Sequence, residues 1–326
     1  MSYSNDELIK MYQTMVMSRT YDDMIYGTAM DGDIIGMHHL ARGEEAVGAA
    51  VITGVRDTDW IVPTHRMHTV QLGRFDYKKF AAEQFGMVTG VCQGMSCDFH
   101  VSDPAAHMLY SNGILGQNVP IAAGFAYALK LDKKDEIVVA CEGDGAFQEG
   151  INYEALNMAT IFELPLLIIV DDNQYSYSFP SKKYKKNMSE RAAAYGFHAV
   201  TVDGCDMLAV REAVDTAIVR VRKNEPCLIE CKTMRWDGHH TGDDQTSYRD
   251  VSNIADAKKN NDPIIRFEKI LFDQGILTEE NKKEIWSSYR KMANEAKEYA
   301  MGCDYPTAEV VLDPHKIYSQ PWEVEL

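Results

Sequence analysis

Residues 143–178, GDGAFQEGINYEALNMATIFELPLLIIVDDNQYSYS, decide the fold. They follow residues 136–141 (EIVVAC), a short β-branched run that predicts a strand buried on both faces. The run stops at GDG, where glycine, lacking a Cβ, lets the chain turn sharply. Residues 150–162 set Ile151, Ala155, Met158 and Phe162 on one stripe of a helix that Pro165 ends, and 166–170 (LLIIV) predict a second buried strand. Strand, helix, strand in this order makes a right-handed unit with a parallel strand pair.

Outward from this unit the pattern repeats. Strands are expected near 198–202 and 227–232 with a helix over 207–223 between them, so the class is α/β with a doubly wound, mostly parallel sheet. On the N-terminal side, 112–131 join a glycine-rich turn to a small-residue helix, and 44–54 form another suited to close packing. Between these two, PTHRMHT (63–69) reads as a polar loop. Leu8, Met11, Tyr12, Met15 and Val16 space an amphipathic helix over 5–30, with Ser4 or Asn5 as its N-cap. Past about residue 250, Asp262-Pro263 caps a helix that Gly275 closes, and a charged helix follows over 278–301. The last residues, 305–326, lack a period and are expected to wrap a surface. No repeat or linker divides the chain. One domain over 1–326 is expected, with a core over about 30–250 and a helical extension over about 260–326.

Composition excludes several classes. With 33 basic and 49 acidic side chains the formal charge is −16, which repels nucleic acid and anionic lipid. No apolar run approaches a membrane span, and the polar N-terminus lacks the apolar core of a signal peptide. Seven cysteines without a CxxC pair suit reduced thiols in a cytoplasmic protein.

The chemistry gathers at strand ends. Ligands of open α/β sheets bind at the carboxyl ends of parallel strands, and Asp144 and Asn173 fall at two such ends one unit apart. A carboxylate, an amide oxygen and a backbone carbonyl such as that of Tyr175 would suit Mg²⁺, leaving positions for phosphate oxygens. The helix beginning near Glu149 is expected to aim its amides at the same anion. Alone, GDG is no more than a tight turn; the flanking strand and helix and the strand-end asparagine favour a site.

With these residues in hand, the span 143–178 resembles the thiamine-diphosphate motif of the α subunits of 2-oxo acid dehydrogenase complexes, the pyruvate, branched-chain and acetoin dehydrogenase family. The likeness runs from about residue 8 to 310 and takes in HHLARGEEAVGAA, DWIVPTHRMHT, SNGILGQNVPIAAGFAYA, RWDGHH, SYR and DPIIRF. It implies that Asp144 and Asn173 ligate Mg²⁺ through side chains and Tyr175 through its carbonyl. It further implies that Arg66, with His65 beside it, holds the diphosphate, that Gly113 and Leu115 meet the aminopyrimidine, and that Gly143, Gly145 and Ala146 pack on the diphosphate. His239 matches an active-site loop histidine that also meets the coenzyme and stabilises or protonates intermediates; His39 matches one at the substrate end. Plain hydrogen bonding within the loop is the bland role for His65 and His68, and His107, His198 and His315 read as structural or exposed. The pairs His38-His39 and His239-His240 lack zinc spacing.

The resemblance also implies a separate β subunit that supplies an activating glutamate, an α₂β₂ heterotetramer, and a lipoyl-bearing acyltransferase as acceptor. The substrate would be a small 2-oxo acid or an acyloin. Met95-Ser96-Cys97-Asp98-Phe99-His100 departs from the family's GGSMH, placing bulk and a charge near the substrate channel. That departure keeps open a non-oxidative carboligase or transketolase-like subunit; a scaffold without chemistry is the third reading. His240 stands where regulated members carry a serine, and Glu44-Glu45 reads as structural or as an interface.

Overall fold

The computed structural model describes residues 3–313. Helix α1 (Asn5–Asp31) opens on a capping box, in which Ser4 and Glu7 satisfy each other's backbone amides. Then come α2 (Glu45–Gly54), β1 (Trp60–Val62), α3 (His68–Leu72), α4 (Tyr77–Gln84), α5 (Asn118–Leu131), β2 (Val138–Gly143), α6 (Gly150–Ile161) and β3 (Leu166–Asp172). A small hairpin of β4 (Tyr175–Ser176) and β5 (Phe179–Pro180) precedes α7 (Met188–Ala194), β6 (His198–Asp203), α8 (Met207–Val221) and β7 (Cys227–Lys232). Helices α9 (Ser252–Asn260), α10 (Pro263–Asp273), α11 (Glu279–Met301) and α12 (Ala308–Val311) close the described chain.

The main sheet runs β1-β2-β3-β7-β6, every pair parallel. Its strands alternate between two apolar layers, because successive side chains leave a strand on opposite faces. Val139, Cys141, Leu167, Ile169 and Ile229 pack with α1, α2, α8, α10 and α11. Val138, Ala140, Ile168, Val170 and Leu228 pack with α5, α6 and α7. The expected doubly wound sheet is therefore present. Register sets Gly143 beside Asp171, so the turn after β2 and the turn after β3 leave the sheet side by side.

Four local expectations are corrected. The loop reading of PTHRMHT stops early, since His68 begins α3; a Cβ on Gly48 of α2 would lie 2.6 Å from Thr69, so the two helices meet at glycine distance. In α6 the stripe Ile151, Met158, Phe162 faces outward, 40–51% exposed, and Asn152, Ala155, Leu156 and Ala159 face in. Small residues are what fit between a helix and the sheet it crosses. The same helix ends at Ile161, before Pro165, through Glu163 at positive φ. Helices α4, α7 and α9 were not expected. His315 and most of the final segment lie outside the described residues. No described helix is long and apolar enough to cross a membrane.

Candidate functional site

A cavity of about 340 Å³ opens at the carboxyl ends of β2 and β3. Its walls hold Arg66, His65, Gly113, Leu115, Gly143, Asp144, Gly145, Ala146, Asn173, Tyr175 and His239, so all but one of the residues singled out in the sequence meet in one place. His39 is the exception: it stands behind His65 and His239.

The strand-end pair forms one end. Asp144 is buried, and its Oδ2 has no hydrogen-bond partner. Burial, then repulsion from Asp172, pushes its carboxyl up to about 7. A buried carboxylate oxygen without a partner is costly unless a cation joins it. Asn173 turns its amide with Nδ2 donating to Glu44 Oε1 at 3.1 Å, while its Oδ1 accepts from the Tyr175 amide at 3.4 Å. The Tyr175 carbonyl accepts from the buried guanidinium of Arg235 at 3.2 Å. A Cβ on Gly145 would strike Ser176 Oγ at 1.9 Å, so the chain passes there only as glycine. A Cβ on Gly143 would meet nothing within 4 Å and would project into open space.

Three acids on the wall, Glu44, Glu142 and Asp171, were not foreseen as site residues. Glu44, read as structural or interfacial, instead lines the cavity and shares a buried hydrogen bond with Asp171, burial pushing both carboxyls up. Glu45 is structural as expected, paired with Arg19, which also binds Asp262 at 3.1 Å. Glu142 lines the cavity with an unpartnered Oε2, and burial pushes it up to about 8. Its only sequence signal was an acid inside an otherwise apolar strand. The α6 N-terminus is displaced from the cavity by the 3-10 turn Ala146–Gln148, and none of its residues lines the wall.

The other end is aromatic and basic. Arg66 donates through Nη1 to the Leu40 carbonyl at 2.7 Å and through Nη2 to the His239 carbonyl at 2.8 Å. Five donors on one planar fork leave it capacity for an anion in the cavity. The rings of His39 and His65 are 4.4 Å apart, those of His39 and His239 4.9 Å, and Phe99 lies 4.5 Å from His39. A ring nitrogen from each of His39, His65 and His239 falls within 4.8 Å of the others, a grouping that the HH pairs did not announce. The Arg66 guanidinium, 3.5 Å from His239 Nδ1, makes this a poor place for a metal cation. Burial, then Arg66, pulls His239 down to about 2, so its ring is neutral, with one donor and one acceptor nitrogen.

The departure at 95–100 divides in two. Phe99 does bring bulk to the cavity wall, but Asp98 is fully buried against His39 and His68 and puts no charge in the channel. Asp237 forms a forked pair with Arg42 at 2.7 and 2.8 Å, and Thr241 clips the loop to His38.

A parallel sheet with a partly unpartnered acid and an asparagine at neighbouring strand ends, and an arginine on the same cavity, offers the donor set that a phosphorylated group and a cation require. The comparisons with known proteins carry this further. Residues 12–309 match the family described as dehydrogenase E1 component, and the chain belongs to it. It is 33% identical to the α subunit of an acetoin:2,6-dichlorophenolindophenol oxidoreductase of Cupriavidus necator, over 94% of this chain and 93% of that one. It is also 33% identical to a subunit so named from Bacillus subtilis, over 98% and 97%. The α subunit of a pyruvate dehydrogenase E1 component from Zymomonas mobilis is 31% identical over 93% and 87%.

Proposed function

We propose that this chain is the α subunit of an E1 component that uses thiamine diphosphate and Mg²⁺ on a 2-oxo acid or an acyloin and passes the acyl group to a lipoyl carrier. The observation that carries the reading is the unpartnered Asp144 oxygen beside Asn173 at adjacent strand ends. Asp144, Asn173 and the Tyr175 carbonyl would hold the cation, and Arg66 would neutralise diphosphate oxygens. Gly143, Gly145 and Ala146 would line the diphosphate, with Gly113 and Leu115 at the ring end. When bound, the coenzyme supplies a nucleophilic carbon and an electron sink. The chain's own residues orient that group and exclude water from it. His65 and His239, held neutral chiefly by burial, offer hydrogen bonds at the reacting end, and an anion beside Arg66 would offset the smaller contribution of its charge.

A β subunit completes the site, and α₂β₂ is the assembly we expect, docking on a lipoyl acyltransferase. One domain accounts for the packing, since a single apolar layer includes both Leu8 and Ala300. All seven cysteines are free thiols, which supports a cytoplasmic setting. The test is calorimetry of thiamine diphosphate binding to the co-purified α/β complex with and without Mg²⁺. Asp144→Ala should abolish the Mg²⁺-dependent binding, a loss of at least about 100-fold, whereas unchanged binding would overturn the assignment.

A further inference from the structure

Four buried groups stand in file from α1 to the back of the histidine cluster. Asp22 Oδ1 accepts from His68 Nδ1 at 2.6 Å, while its Oδ2 accepts from the Ala41 amide at 2.7 Å. His68 Nε2 lies 3.9 Å from Asp98 Oδ2, an ion-pair separation. That same oxygen accepts from the His39 amide at 3.1 Å and from His39 Nδ1 at 3.4 Å. Asp22, His68 and Asp98 are wholly buried and His39 almost so. Burial alone would discharge His68, yet the carboxylates of Asp22 and Asp98 push it up to about 9. Asp98 would also rise on burial, but the hydrogen bond from His39 and the nearby His68 hold it well below the usual carboxylate range.

One imidazolium between two carboxylates leaves one negative charge over, set directly behind His39. The file ends at Asp22 in the protein interior, so it anchors charge and does not conduct protons to solvent. Its influence falls on His39, whose Nδ1 is taken by Asp98 and whose remaining nitrogen is Nε2. The other groups facing His39 are His65, His239 and His240, with Phe99, and burial, then the Arg66 charge, pulls His39 below the ordinary imidazole value against the pull of Asp98. Among the described residues Asp98 is the carboxylate hydrogen-bonded to a ring of this cluster, whereas Asp243 accepts from the His239 backbone amide at 2.6 Å.

We propose that Asp98 is a positioning residue that holds the Nδ1 proton of His39, so that the cluster of His39, His65 and His239 takes up the hydroxyl proton of a 2-hydroxyketone substrate. The inference rests on the coenzyme reading above. In the step, the substrate's O–H bond and the bond between its two oxygenated carbons break, and the hydroxyl carbon leaves as an aldehyde or ketone. Thiamine diphosphate, when bound, would supply the sink for the electron pair left on the former keto carbon, while the proton rests on the imidazole cluster, balanced by the charge behind it. A 2-oxo acid presents no such proton: its carboxylate is already ionised and leaves as CO₂. A base held by a buried carboxylate therefore matches the first substrate class and is idle for cleavage of the second.

The test uses the co-purified α/β complex loaded with thiamine diphosphate and Mg²⁺, assayed with a 2-hydroxyketone and with a 2-oxo acid against an artificial electron acceptor. Asp98→Asn keeps an acceptor for His39 without the charge, and Asp98→Ser removes the charge and withdraws the acceptor onto a side chain one atom shorter. Both variants should lower kcat on the 2-hydroxyketone by at least about 10-fold, Asp98→Ser the more, with the 2-oxo acid rate within about 3-fold. The acidic limb of the 2-hydroxyketone pH profile should move to lower pH, since losing a negative neighbour makes His39 easier to deprotonate. Coenzyme affinity by calorimetry should stay within about 3-fold, which shows that the site is still folded. Equal losses on both substrates, an unmoved acidic limb, affinity falling in step with activity, or a wild type that turns over no 2-hydroxyketone would each overturn the proposal. A wild type that binds no coenzyme would instead sink the reading beneath it.

Discussion

The two ends of the cavity are built by opposite strategies. The Asp144–Asn173 end is assembled from two consecutive strand ends, 29 positions apart in the chain and adjacent through the parallel register. It holds negative charge without a counter-ion of its own: Asp144 has an oxygen with no partner, and Glu44 and Asp171 share a hydrogen bond between carboxyls. The histidine end is assembled from four distant segments, around residues 22, 39, 68 and 98, with His65 and His239 in front. There the file contains its own cation, His68 between the carboxylates of Asp22 and Asp98, so it is finished in that sense although His68 Nε2 and Asp98 Oδ1 make no hydrogen bond. One end is unfinished without a ligand, and the other is finished without it. A coenzyme site needs both, because the first supplies binding energy and the second keeps its geometry whether or not the ligand is present.

This contrast is most severely tested by breaking the finished end. Asp22→Asn leaves His68 against a neutral group at its nearest contact, and removing one partner of a buried pair costs about 3–5 kcal/mol. Urea unfolding should show the midpoint falling with an unchanged slope. The pH dependence has a definite sign. His68 titrates at about 9 in the fold and at ~6.5 when unfolded, so its stabilisation is complete below 6.5 and is lost as pH rises through 9. Wild-type stability should decline across that window, and Asp22→Asn should flatten the decline. A variant as stable as the wild type at pH 7 would mean that the file is not an anchor.

A smaller effect is expected where the ends meet, at Arg66. Its fork reaches two carbonyls, on Leu40 and His239, while facing the cavity. Arg66→Lys keeps the charge but cannot span both carbonyls, so coenzyme affinity should fall by roughly 10-fold and Arg66→Ala should fall further. Equal affinity for the lysine variant would show that charge alone is used there.

The same contrast explains what could be read in advance. The strand-end pair was legible because strand periodicity, a GDG turn and a second strand fix where Asp144 and Asn173 must go. Arg66, His65 and His239 were assigned through family resemblance, which transfers positions but not environments. Hence His239 was assigned a role with the intermediates, but nothing in the resemblance announced that burial and Arg66 pull it down to about 2. Asp98 was seen as a charge in the channel because nothing local in CDFH reveals that His39 and His68 enclose it. Glu44 was set aside because its partner, Asn173, lies 129 residues away. In α6 the large apolar residues suggested the buried side, but the sheet accepts the small ones.

The finest test concerns Glu44, where a nearly silent substitution is informative. Glu44 Oε1 accepts from Asn173 Nδ2, which turns the other amide atom, Oδ1, to the side where a cation ligand is needed. Its hydrogen bond with Asp171 requires one proton between two carboxyls. Glu44→Gln replaces that proton with an amide donor while keeping an oxygen for Asn173, so Mg²⁺-dependent coenzyme affinity should change by less than about 3-fold, and the apo chain should be no less stable. Glu44→Leu removes the acceptor, leaves the Asn173 amide free to turn over, and should weaken the Mg²⁺ dependence by roughly 10-fold. If leucine were as silent as glutamine, the orientation of Asn173 would have to come from the Tyr175 amide alone. If glutamine were as damaging as leucine, the negative charge at position 44 would be what the cation reads, and the unfinished end would hold its ligand by net charge more than by geometry.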